Sequence, residues 1–416
     1  MRNSSFWWIL IVFMVLLDIY VFQALKVIAP QPGSRYRPIV LYGYWVLSAL
    51  ALLTLLILPS LHLDNQAKLT RSTVFALIAG IFFAKLVAAL FFIIDDIRRL
   101  IQWIAGKFFF PNTEVADLSK SDGISRSAFL TWTGMLFGGG LFTTLVYGFG
   151  NKYKYQVTKI PLTYSNLPAS FRGLKIVQLS DIHSGSFTDK ASVIKGVEKV
   201  MALQPDLILF TGDLVNNNSD EMTEYMDVFN KLHAPMGVYS SLGNHDYGDY
   251  QKWDGPAAKA ANLDRLKEIH KELGWRLLMN EHVVLEKGGE QIALIGVENW
   301  SAKSNFPKYG DLAKAHAGTA SYPFKMLLSH DPSHWDAQVL TQFKDVDLML
   351  AGHTHGMQFG IEVPGFKWSP VQYMYKQWAG LYEQNNQKLY VNRGFGFIGY
   401  PGRVGILPEI TLIELT

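Results

Sequence analysis

Four apolar runs, residues 6–25, 39–58, 73–94 and 128–149, constrain this chain more than any other feature. Each reaches the roughly 20 residues that a helix needs to cross a bilayer. One such run could be a buried helix of a soluble domain. Four in succession, ahead of a stretch of different composition, describe a membrane region over residues 1–150. The first run is a poor cleavable leader. One basic residue precedes it, no small-residue cleavage site follows, and Asp18 lies inside it. It is therefore expected to stay as a helix. Trp7, Trp8, Tyr42, Trp45 and Trp103 sit near run ends, where aromatic side chains suit the interface.

Asp18 and Lys85 fall at the same distance into the first and third runs, which point the same way. At equal depth they either pair between helices or each find a separate polar neighbour, because an unpaired charge there is expensive. Lys26, Arg35, Arg37, Arg98, Arg99, Lys107, Lys120 and Arg126 flank one side of the membrane, against Arg2, Lys68, Arg71, Lys152, Lys154 and Lys159 on the other. That bias makes the chain a multi-pass protein of the inner membrane, with the first and third loops in the cytoplasm and the C-terminal half outside. Ser125-Arg126-Ser127-Ala128-Phe129-Leu130 resembles a twin-arginine export signal, with Ser127 where the second arginine would be. Between the third and fourth runs, Ile94, Ile97, Ile101 and Ile104 recur at helical spacing, which predicts an interfacial amphipathic helix over 95–110.

Composition excludes several functions for the remainder. The net charge of +3 is small and scattered, so nucleic acid is not an expected partner. No cysteine is present, which rules out disulfides and thiolate metal sites. Any metal must be held by His, Asp, Glu or Asn, a donor set that suits Mn, Fe or Zn.

Residues 151–170, with Pro161 and Pro168, read as a linker. From 171 to 416 short apolar runs alternate with helical patterns, enough chain for one full core. Such alternation predicts sheets layered against helices. Strands are expected at 174–179, 207–210, 238–242, 292–297, 326–328, 348–351, 389–391 and 410–415.

Polar clusters follow these strands directly. Leu179 leads to Ser180-Asp181-Ile182-His183, Phe210 to Thr211-Gly212-Asp213, and Leu242 to Gly243-Asn244-His245-Asp246. Leu328 leads to Ser329-His330-Asp331, and Ala351 to Gly352-His353-Thr354-His355. Asp, Asn and Gly are common in ordinary turns, so any one cluster says little. Five together, all after strands, place their loops on one rim, where α/β sheets bind ligands. The two imidazoles of Gly352-His353-Thr354-His355 can point at different targets, as two adjacent metal ions require.

The ordered set Asp-x-His, Gly-Asp, Gly-Asn-His-Asp, His and Gly-His-x-His resembles the calcineurin-like metallophosphoesterases, over about residue 174 to the C-terminus. Tyr390-Val391-Asn392-Arg393-Gly394 and Leu407-Pro408-Glu409-Ile410 are similar to the bacterial branch with a membrane or twin-arginine N-terminus. The resemblance implies a four-layer α/β/β/α sandwich, preceded here by the four-helix transmembrane region. It implies that Asp181, His183 and His355 bind one ion, that Asp213 bridges, that Asn244, His330 and His353 bind a second ion, and that His245 is the catalytic residue that is not a ligand. Two ions about 4 Å apart can share a carboxylate, lower the pKa of a bridging water and clamp a phosphoryl oxygen. Many relatives carry Asp where this chain has Asn216, the position thought to orient the catalytic histidine. Arg393 is a candidate for contact with substrate phosphate. His334 is expected on a helix surface.

The reading that follows is a membrane-anchored, dinuclear-metal phosphodiesterase or pyrophosphatase. Residues 364–382, rich in aromatics and directly after the two-histidine loop, suggest a lipid-linked substrate or a phospholipid headgroup. The resembling branch includes enzymes that cleave UDP-diacylglucosamine, so that pyrophosphate bond is a candidate. It conflicts with an external site, because the nucleotide lipid lies on the cytoplasmic leaflet. The alternatives are a metal-binding sensor or scaffold without turnover, and a phosphatase of a soluble substrate.

Overall fold

A computed structural model describes residues 4–57, 67–109 and 125–416. Arg2 and Lys120, used above for orientation, lie outside the described residues, as do Phe110 and the side chains of Trp7 and Lys68. The chain divides into two compact units, Met1–Tyr147 and Gly148–Thr416.

The first unit contains α1 (Ser4–Ile28), α2 (Tyr36–Ile57), α3 (Ala67–Phe109) and α4 (Arg126–Gly148). All four are long and apolar enough to cross a membrane. The interfacial helix expected over 95–110 is not separate, because α3 runs on through it for 43 residues. The charges there do not break the helix because they pair along it: Arg98 with Asp95 at 2.7 Å and Arg99 with Asp95 at 3.4 Å.

Asp18 and Lys85 do meet, joining α1 to α3. Ser48 of α2 donates to Asp18 at 3.0 Å and accepts from Lys85 at 2.7 Å, while Tyr44 donates to Asp18 at 3.1 Å. Removing one partner strands the other in a buried setting, which is far worse than removing both. Lys85→Met should therefore lower the melting temperature in detergent micelles, and Asp18→Asn in the same chain should recover most of the loss. Equal melting of the single and double variants would mean that the pair contributes no coupling.

The second unit holds two six-stranded sheets. The first, in spatial order, is β1 (Gln156–Leu162), β14 (Glu409–Leu415), β2 (Leu174–Leu179), β3 (Leu207–Phe210), β4 (Val238–Ser240) and β5 (Arg276–Leu277). The second is β12 (Gly380–Gln384), β13 (Gln387–Val391), β9 (Leu348–Ala351), β8 (Lys325–Leu328), β7 (Glu290–Gly296) and β6 (Glu281–Lys287). A separate hairpin, β10 (Ile361–Val363) with β11 (Phe366–Trp368), pairs only with itself. β2, β3 and β4 are parallel, and so are β7, β8, β9 and β13.

The two sheets face one another. Leu174, Ile176, Leu207, Leu209 and Ile413 of the first meet Leu294, Met326, Leu328, Leu348 and Tyr390 of the second. On the outer face of the first sheet, Val177, Ile208 and Phe210 pack under α5 (Lys190–Ala202), α6 (Met226–Phe229) and α7 (Pro256–Glu272). On the outer face of the second, Ile295, Leu327 and Met349 pack under α8 (Leu312–His316) and Trp335. This is a four-layer α/β/β/α sandwich. Strands covered on both faces read as unbroken apolar runs, which is why β3, β8 and β9 were legible.

The stretch 151–170, expected as a linker, contains β1, which pairs in parallel with β14 from Gln156↔Glu409 to Leu162↔Leu415. Pro161 is tolerated because β1 is an edge strand, where a missing N–H breaks no ladder.

Candidate metal centre

Each strand end delivers its cluster to one rim. Asp181 and His183 follow β2, Asp213 follows β3, and Asn244 and His245 follow β4. From the second sheet, His330 follows β8, and His353 and His355 follow β9. The donor atoms of Asp181, His183 and His355 lie within 4.8 Å of one another, and so do those of Asp213, His330 and His353. Asp213 faces both groups, its Oδ2 being 3.0 Å from His330 Nε2 and 3.6 Å from His183 Nε2. Asn244 Oδ1 lies 2.8 Å from His353 Nδ1. The structure thus brings all seven residues together.

Their hydrogen bonding fits a pair of cations. His183 Nε2, His330 Nε2 and His355 Nε2 are buried and make no hydrogen bond. His330 Nδ1 lies 2.7 Å from the Thr211 carbonyl and carries a hydrogen toward it, which leaves Nε2 as the nitrogen turned to Asp213. His353 Nε2 lies 2.9 Å from the Tyr375 hydroxyl, which is itself 3.3 Å from Asp331 Oδ2, and Nδ1 is the nitrogen turned to Asn244 Oδ1. Burial pushes the Asp181 carboxyl up, but His355 and His330 beside it hold it well below the usual range. Burial, with His245 and His355 adding to it against the Asp213 and Asp181 charges, holds His183 far below its ordinary value, hence neutral and able to coordinate.

Asp181, His183, Asp213, His353 and His355 all adopt left-handed backbone, with φ between 49° and 71°. For a residue with a side chain this costs about 1 kcal/mol or more each. The loops hold that conformation by bonding to one another. Asp181 N–H donates to Gly212 O at 2.9 Å, His183 N–H to Asp213 O at 3.1 Å, and His245 N–H to Asp213 Oδ1 at 2.8 Å. Asp246 braces the Asp213 loop, accepting N–H bonds from Gly243, Asp213, Leu214 and Val215 at 2.8–3.3 Å. Burial and the Asp213 charge raise its carboxyl to about 7, and those N–H donors pull the other way.

His245 is oriented by main chain. Its Nδ1 lies 2.7 Å from the carbonyl of Asn216, whose side chain instead bonds Ser186 at 3.1 Å. The Asp-to-Asn difference at this position therefore leaves the support of His245 intact.

Arg393, expected at substrate phosphate, is engaged elsewhere. Its Nη1 pairs with Glu409 at 2.7 Å and its Nε with Glu362 at 2.9 Å, so both edges of the guanidinium are occupied. His334 is buried, not on a helix surface: Nδ1 meets Ser329 Oγ and Nε2 meets Gln338 Oε1, each at 2.8 Å. Sequence reasoning also missed Tyr375 and Arg403. Arg403 is fully buried, sends Nη1 to the Arg393 carbonyl at 2.7 Å, and places Nη2 3.2 Å from His355 Nδ1. Tyr375 lay within the aromatic stretch already noted, whereas nothing in the sequence marks Arg403.

Comparison with known proteins gives the same picture. Residues 1–151 match the model described as "Probable Calcineurin-like phosphoesterase, transmembrane domain", and residues 174–357 match "Calcineurin-like phosphoesterase". The chain is 30% identical over 300 residues to the uncharacterized metallophosphoesterase YkuE of Bacillus subtilis, covering 70% of this chain and 98% of that protein. It is 30% identical over 278 residues to the transmembrane protein with metallophosphoesterase domain of Danio rerio, covering 65% of this chain but only 60% of that longer relative. It is 27% identical over 303 residues to the UDP-2,3-diacylglucosamine pyrophosphatase LpxG of Chlamydia trachomatis, covering 61% of this chain and 88% of that one.

Proposed function

We propose that this chain, which belongs to the calcineurin-like phosphoesterase family and carries an N-terminal four-helix transmembrane domain, hydrolyses a phosphodiester or pyrophosphate bond of a lipid-linked substrate. The observation that carries the reading is Asp213, one carboxylate shared between two groups of ligands. Asp181, His183 and His355 would hold one divalent cation, and Asn244, His330 and His353 the other, with Asp213 between them. Bound there, Mn, Fe or Zn would supply Lewis acidity to the phosphoryl oxygens and a more acidic water. His245, whose Nδ1 hydrogen is committed to Asn216 O, can carry a second proton on Nε2 and pass it to the leaving oxygen. Tyr250, whose ring lies 4.6 Å from that of His245, sits at the mouth and is 45% exposed.

The test is hydrolysis of bis-p-nitrophenyl phosphate by the full chain, with and without Mn. Activity should require Mn and should fall at least about a thousandfold in Asp213→Ala, because both ligand groups lose their shared member. Equal rates in the two proteins would eliminate the hydrolase reading.

The name of the chlamydial relative supports a nucleotide lipid, whereas the Lys and Arg distribution supports an external catalytic unit, for which a phospholipid headgroup fits better. An alkaline phosphatase fused after Thr416 should therefore be active. An inactive fusion would put the site in the cytoplasm and favour the nucleotide lipid.

A further inference from the structure

We infer that the hairpin β10–β11 is a bilayer-docking element whose apolar face enters the lipid headgroup region. Its register pairs Ile361 with Trp368, Glu362 with Lys367 and Val363 with Phe366. Side chains alternate across a strand, so Glu362 and Lys367 share one face and the other four share the opposite one. The polar face carries the hairpin's bonds to the rest of the unit, while Glu362 and Lys367 themselves remain exposed. Glu362 accepts from Arg393 Nε at 2.9 Å, and Lys367 Nζ donates to the Ala379 carbonyl at 2.5 Å and reaches the Tyr382 hydroxyl at 3.3 Å. The apolar face is the one turned to solvent: Ile361, Val363 and Phe366 are 51–55% exposed. Trp368 Nε1 donates to the Tyr373 hydroxyl at 3.5 Å, which adds Tyr373, 79% exposed, and brings the neighbouring Met374 close.

A half-buried sheet normally packs its apolar face inward. Here the polar pair makes the bonds to the protein and the apolar face is left uncovered, so the hairpin has no reason to turn over. Such an exposed apolar surface marks a partner. A bilayer suits it on three grounds. The same chain carries four helices able to span one, so lipid is always within tether. Trp and Tyr favour the membrane–water interface. The hairpin's two unpaired edges need hydrogen-bonding groups, which headgroups and water supply but hydrocarbon does not. A second copy of the chain suits it less, since its face is roughly 10 Å by 10 Å by strand rise and spacing, far below a stable interface.

The hairpin is also tied to the metal centre. Arg393, held by Glu362, precedes Gly394, where a Cβ would come within 2.8 Å of His355 Nδ1. Docking would set the rim at headgroup level; its use on a lipid-linked substrate rests on the hydrolase reading, whereas the docking itself does not.

The chain lacks cysteine, so one introduced thiol can be labelled uniquely. Phe366→Cys would be labelled with an environment-sensitive fluorophore in the full chain, reconstituted into phosphatidylcholine–phosphatidylglycerol vesicles. Val284→Cys, a 38% exposed apolar position on β6, is the reference. The Phe366 label should emit to the blue of the reference and lose most of its emission to a nitroxide placed near the top of the lipid acyl chain. Emission equal to the reference overturns the proposal, and so does a blue shift without lipid quenching, which would mean contact with protein. With Val363→Asp and Phe366→Asp together, hydrolysis of phospholipid in vesicles should fall at least about tenfold as two apolar side chains become charged, while bis-p-nitrophenyl phosphate turnover stays at the parent rate. An equal fall on both substrates would mean a general defect and would overturn the docking role. If the parent never turns over the soluble ester, the hydrolase reading fails and the quenching result still decides this one.

Discussion

Gly352→Ala should leave the fold intact and abolish activity. A Cβ at Gly352 would lie 1.9 Å from Ser180 Oγ and 2.2 Å from Asp181 Oδ2, distances at which something must move. Neither neighbour has room, because Ser180 and Asp181 are fully buried. Asp181 also receives the His353 N–H on both carboxylate oxygens at 3.0 Å, so the displacement would reach the ligands of both groups. Loss of supporting geometry around a metal commonly lowers affinity about 10- to 100-fold, and direct displacement of a ligand should exceed that. Titration calorimetry with Mn would read the loss, and circular dichroism the fold. Gly150→Ala, where a Cβ meets nothing within 4 Å, is the control. Parent-like Mn affinity in Gly352→Ala would show that the packing around Asp181 does not hold the centre.

His245→Ala should lower kcat about 10²- to 10⁴-fold, the range for loss of a positioned proton donor, and leave Mn affinity near the parent's. The imidazole is placed by its bond to the Asn216 carbonyl and by its own N–H on Asp213 Oδ1, which survives the substitution. Asn216→Ala removes only the side chain that bonds Ser186, so its kcat should stay close to the parent's. If Asn216→Ala fell as far as His245→Ala, the account of main-chain support would be wrong. A large fall in Mn affinity for His245→Ala would make that residue a ligand.

The candidate ligands stand out in the sequence because each follows a strand that announces itself. β3 and β9 are unbroken apolar runs, and a polar cluster after such a run has few places to go. What escaped depended on partners distant in sequence. β1 looked like a linker because Pro161 within it and Pro168 beyond it are read locally, whereas its pairing with β14 spans the whole unit. Arg393 looked free, yet Glu362 and Glu409 close on it from either side. His334 looked like a surface residue by helical position, but it is buried, with a ring nitrogen on Ser329. The aromatic stretch at 364–382 lacked a period because it does two jobs. Val371, Tyr375 and Trp378 pack into a small core with Ile406, while Phe366 and Tyr373 face out.

The left-handed backbone at these candidate ligands carries a consequence for where this protein gives way. At five neighbouring positions the backbone would suit glycine better than the aspartate or histidine it holds. The sheets on either side gain from every buried leucine and valine, so resilience is uneven across the unit, high in the sandwich and low along the rim that carries the candidate ligands. Heat or denaturant should loosen that edge first, with amide protons there exchanging ahead of those in β2, β3, β8 and β9.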